Sequence, residues 1–72
     1  MTRERYSHQL QELRDDIVAM ASMVDKAIAR STDALKRQDL NLAHEVIQAD
    51  VEINRQRWAT EEKALLVIAT QA

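Results

Sequence analysis

The chain has no cysteine, glycine, proline or phenylalanine, and one tryptophan and one tyrosine among its 72 residues. Without cysteine there is no disulfide, no thiolate metal site and no cysteine nucleophile. Without glycine or proline there is no strong helix breaker and no Gly-rich phosphate loop. With two histidines and no cysteine, a zinc site is hard to assemble. No Ser-His-Asp ordering and no His-Glu-x-x-His run stands out, so the chain reads as non-enzymatic. Charge of one sign is also scarce. Ten basic against twelve acidic residues leave a net charge of −2, which argues against a nucleic-acid partner. No apolar run approaches the roughly 20 residues of a membrane span. The first residues, Met-Thr-Arg-Glu-Arg, lack a signal-peptide core. The expectation is a soluble, cytoplasmic chain with no transmembrane segment.

What remains is 46% hydrophobic residues set among Glu, Gln, Lys and Arg, a composition rich in helix formers. The fold class it supports is all-α. Residues 1–72 make a single helical-hairpin module, since below about 70–80 residues a single core is marginal. From Arg3 to about Arg37, Tyr6, Leu10, Leu13, Ile17, Met20, Ala21, Val24, Ile28 and Leu35 fall on one stripe. Spacings of three and four sustained that far predict an amphipathic helix of near-heptad character. Ala27 and Ser31 thin the stripe and would let a partner helix approach closely. Thr2 is a candidate N-cap, and Glu4 suits the first turn. Arg14, Asp15, Lys26, Arg30 and Asp33 read as the solvated face.

The periodicity breaks at Lys36-Arg37-Gln38-Asp39. Two bases suit a helix C-terminus, and Asp39 is a credible cap for a second helix from Leu40 to about Ala69. The expected architecture is therefore a long antiparallel αα-hairpin with a connection of about two to five residues.

On the second helix Leu42, Val46, Ile53 and Val67 gather on one flank of a broad apolar arc. Ile47, Val51, Trp58 and Leu65 gather on the other. His44, Glu45, Gln48, Glu52, Arg55, Glu62 and Lys63 make the outer face. Two flanks need two neighbours, one being the first helix. The simplest closed assembly is a homodimer forming a four-helix bundle, with Trp58 buried in it.

Between the flanks, where burial should be deepest, lie Asp50, Asn54, Arg57 and Glu61. Such a polar line costs desolvation energy unless its groups are paired. One reading is an internal ladder, Asp50 to Arg57 and Arg57 to Glu61, with Asn54 supplying a hydrogen bond. The other treats Asp50, Asn54 and Glu61 as oxygen ligands for a divalent metal or iron. His8, one turn from Glu4 and Glu12, and His44 read as solvated surface groups.

Several stretches resemble PhoU-family proteins, regulators of bacterial phosphate uptake. They are Met1–Tyr6, Leu10–Val24, Arg37–Asn54 and Leu65–Gln71, and the similarity runs in one register along essentially the whole chain. The resemblance implies a bundle built of three-helix repeats, of which this chain matches the first two helices of the first. It implies a regulator of phosphate uptake and phosphate-starvation signalling, working with a phosphate ABC transporter and a sensor histidine kinase. It also implies a metal motif of an acid, three residues and Asp, which falls here on Asp50-Val-Glu-Ile-Asn54 with Asn in the last place. Glu12–Asp16 fits the same bare pattern. The rival expectation is a structural dimerisation module with no phosphate role.

Overall fold

The computed structural model describes residues 3–71, with side chains through Thr70, and within them the chain is two helices. Helix α1 runs Arg3–Arg37 and α2 runs Leu40–Gln71. The expected hairpin and its boundaries hold, with α2 ending two residues later than periodicity suggested. Thr2 lies outside the described residues.

The turn is built from the residues that broke the pattern. Gln38 takes a left-handed conformation, φ 52°. Its N–H donates to the Leu35 carbonyl at 3.4 Å, and the Asp39 N–H donates to the Ala34 carbonyl at 3.0 Å. This is the Schellman arrangement, and with no glycine in the chain a glutamine bears its left-handed residue. Asp39 then caps α2: its Oδ1 accepts from the Leu42 N–H at 3.0 Å. Glu4 lies in the first turn of α1, and Lys36 and Arg37 in its last, where the helix dipole favours them.

The helices meet along a strict heptad seam. On α1 the half-buried or buried positions are Tyr6, Gln9, Leu13, Asp16, Met20, Met23, Ala27, Arg30 and Ala34, joined by Leu10. On α2 they are Asp39, Leu42, Val46, Ala49, Ile53, Gln56, Thr60, Lys63 and Val67, with Ala43 and Ala64 beside them. Alternate steps of three and four keep both lines facing each other as the pair coils. Ala34, Thr60 and Val67 are the most buried, at 6–7% exposure. The Thr60 hydroxyl satisfies itself by donating to the Gln56 carbonyl at 2.8 Å. Gln9 Oε1 is buried without a hydrogen-bond partner.

Two expectations are corrected here. The α1 stripe is wider than one seam, and α2 covers only its edge. Tyr6, Leu10, Leu13 and Met20 are covered, but Ile17, Val24, Ile28 and Leu35 stay exposed, Leu35 at 80%. Ser31 lies on the exposed side too, its hydroxyl donating to the Ala27 carbonyl. Arg30 and Lys63, read as solvated, are half-buried at the seam.

No side chain is fully buried among the described residues. The radius of gyration is 16.5 Å, against about 11 Å for a globular chain of this length. Among the described residues no helix is long and apolar enough to cross a membrane.

Candidate functional site on the open face

Position around the helix relative to the seam decides what α2 shows to solvent. Leu42, Val46, Ile53 and Val67 are the flank that meets α1. Ile47, Val51, Trp58 and Leu65 are the flank left uncovered, with Trp58 at 65% exposure. The line Asp50, Asn54, Arg57 and Glu61 is exposed, not buried. The expectation that it is the deepest part of the face is thus corrected for the hairpin. Burial there would require both flanks to be covered, and α1 covers one.

This line borders an open groove between the helices. Asp50 lines it together with Val24, Ala27, Ile28, Ser31 and Ile47. Two turns further from the hairpin loop, Arg57 lines it with Ile17, Met20, Ala21, Val24 and Asp25. Toward the loop the open surface continues past Leu35, Leu40 and Ala43. One side of the hairpin is therefore an apolar trough with a charged rim. The other side carries Lys26, Arg30 and Glu52.

Within the rim only part of the expected ladder forms. Arg57 reaches Glu61 at 3.8 Å, and its guanidinium stands 5.4 Å from the centre of the Trp58 ring. Among the described residues Asp50 and Asn54 make no side-chain hydrogen bond or ion pair. Asp50 and Asn54 are one turn apart and could share a cation. Glu61 is eleven residues from Asp50, about 16 Å along the helix axis, too far for the two to hold one ion. Among the described residues no group of three or more His, Cys, Asp or Glu side chains gathers at one point. His8, Glu4, Glu12 and His44 are all exposed.

Three interhelical ion pairs were not foreseen. Arg30 meets Glu45 at 2.6 Å. Lys63 donates to Asp16 Oδ2 at 2.6 Å and to Glu12 Oε1 at 3.1 Å. These two hydrogen bonds, the one to Asp16 first, raise the Lys63 pKa above its ordinary value. The signal was present in the sequence, since Asp16, Arg30 and Lys63 all interrupt apolar heptad positions. Reading Arg30 and Lys63 as surface charge missed that each has a partner across the seam.

Comparison with known proteins places this geometry. Residues 17–72 match the PhoU domain family. Over 71 residues the chain is 35% identical to a phosphate-specific transport system accessory protein PhoU homolog of Clostridium acetobutylicum, covering 99% of this chain and 32% of that protein. It is 36% identical over 70 residues to PhoU homolog 1 of Mycobacterium leprae, covering 97% of this chain and 32% of that protein. With the phosphate-specific transport system accessory protein PhoU of Escherichia coli it shares 28% identity over 65 residues, 90% of this chain and 27% of that protein. The chain spans about a third or less of the length of these relatives. No solved structure matches it.

Proposed function

The chain belongs to the PhoU domain family, and on that premise we propose that it is an accessory regulator of phosphate uptake and phosphate-starvation signalling. It works through protein contacts and not through catalysis, on the cytoplasmic side of a phosphate ABC transporter and with a sensor histidine kinase. The observation that carries this reading is the family match across residues 17–72. The apolar trough on one side of the hairpin supports it, because an uncovered surface of this kind suits docking and not turnover. The reading includes self-association: two hairpins joined through their open faces make a four-helix bundle. Deleting the gene should derepress alkaline phosphatase and phosphate uptake in phosphate-rich medium. An unchanged phosphate response would leave a structural dimerisation module with no phosphate role.

Asp50 and Asn54 would supply the first oxygen ligands of a divalent metal or iron on this face, with further donors from outside the hairpin. An ionised carboxylate is the hard ligand such ions prefer, and the Asn54 amide adds only a dipole. Asn54→Asp should therefore raise the metal content of protein purified without chelators. If neither wild type nor this variant retains metal, the ligand role fails.

A further inference from the structure

We propose that the hairpin is a latched clasp. Its free-end half, residues 6–16 with 56–70, opens as one unit while the loop half stays zipped, and Lys63 is the latch. The inference goes beyond the phosphate reading and does not depend on it.

The seam changes character partway along its length. Outward from the loop, Ala34, Arg30, Ala27, Met23 and Met20 of α1 meet Leu42, Val46, Ala49 and Ile53 of α2. Arg30 is the one polar member of that set. Beyond Met20 and Ile53, the seam is Asp16, Leu13, Gln9 and Tyr6 against Gln56, Thr60, Lys63 and Val67. Its apolar members there are Leu13, Val67 and the ring of Tyr6, with Leu10 and Ala64 beside them. Apolar burial is what holds two long helices together, because helix propensity alone leaves an isolated helix marginal. The free-end half therefore has the weaker general adhesive.

Its polar groups do little to make up the difference, with one exception. Thr60 occupies a position only 7% exposed, yet its hydroxyl donates to the Gln56 carbonyl of its own helix at 2.8 Å. That bond adds nothing across the seam, and bonds of this kind tend to bend a helix. It falls where the seam changes character, a natural hinge. Among the described residues the buried Gln9 Oε1 has no hydrogen-bond partner, so its desolvation goes uncompensated.

The exception is Lys63. Its ammonium donates to Asp16 Oδ2 at 2.6 Å and to Glu12 Oε1 at 3.1 Å, two acids one turn apart on α1. The Lys63 and Asp16 side chains are 37% and 29% exposed, against 42% and 60% for Arg30 and Glu45 in the loop half. A pair partly withdrawn from water holds more firmly than an exposed one, and removing one member strands the other. Apolar contact tolerates small shifts, whereas these directional bonds are made or lost together. Opening at this end turns Tyr6, Leu13 and Val67 to water and frees both acids, while Ala34 and the turn stay packed.

Amide hydrogen exchange on the whole 72-residue chain tests the clasp. Residues 9–16 and 56–67 should exchange at a common rate, about ten-fold or more faster than residues 23–34 and 42–53. Ordinary fraying gives a smooth gradient along each helix instead, and that result overturns the proposal. Lys63→Met keeps an aliphatic stem and removes the charge. It should speed exchange by one shared factor, about five-fold or more, in residues 9–16 of α1 and 56–67 of α2. The loop half should stay within about two-fold of wild type. An effect confined to α2, or equal in both halves, overturns the latch. Gln9→Leu is the complementary variant, replacing the orphaned amide with apolar surface. It should slow exchange of the free-end half on both helices by about three-fold or more. Circular dichroism checks that each variant keeps its helices. If Lys63→Met loses them, Gln9→Leu decides alone. Slower exchange confined to the free-end half upholds the clasp, and unchanged or uniformly slowed exchange overturns it.

Discussion

The same two helices present two heptad-spaced faces, and the faces differ in what interrupts them. Along the seam the interruptions are Asp16, Arg30 and Lys63, and each finds an opposite charge on the other helix of the hairpin. Along the open face they are Asp50, Asn54, Arg57 and Glu61, and only Arg57 and Glu61 find each other, across a single turn of the same helix. Polar residues on a packing face are tolerated where their partners are built in. On the seam the charged groups find those partners within the chain, whereas the buried Gln9 Oε1 has none among the described residues. On the open face Asp50 and Asn54 have none among the described residues.

Paired aspartate substitutions test that contrast most severely. Val67, at 6% exposure, and Leu65, at 67%, are two residues apart on α2 and face opposite ways. Val67→Asp places an unpaired charge in the seam at a cost of several kcal/mol, comparable to the stability of a small domain. Helical circular dichroism should collapse at 25 °C. Leu65→Asp should leave the helices formed and remove the dependence of the unfolding midpoint on protein concentration. Equal loss of helix from both variants would break the distinction between the faces.

A smaller effect is expected from the built-in charges of the seam. Lys63 gains protonated-state stabilisation from Asp16 and Glu12, so its pKa is higher folded than unfolded. The sign follows: the contribution is complete below the unfolded value of 10.5 and is lost as pH rises through the folded one. Lys63→Ala should lower the melting temperature modestly at neutral pH, and the difference from wild type should shrink as pH rises beyond the unfolded value of 10.5 and in about 1 M salt. A difference unchanged by both conditions would mean that Lys63 contributes through its aliphatic stem and not its charge.

Much of this hairpin was settled by local chemistry. Helix formers with no glycine or proline leave only one class of secondary structure. Lys36, Arg37 and Asp39 mark the one place where the chain can turn, and the structure turns there with Gln38 left-handed and Asp39 capping. Such signals are legible because caps and breaks act within a few residues. The division of α2 into two apolar flanks was legible as well. Only the tertiary structure decided which edge of each wide stripe is used. Ile17, Val24, Ile28 and Leu35 share a stripe with Leu13 and Met20, and periodicity alone does not choose between edges some tens of degrees apart. Nor did it show that Lys63 reaches Asp16 across 47 positions, because a charge at a heptad position looks the same whether it faces water or a partner. Asp50 and Asn54 were singled out from their place between two apolar flanks. Their exposure follows from a fact absent from local sequence: α1 packs on one flank of α2 and leaves the other uncovered.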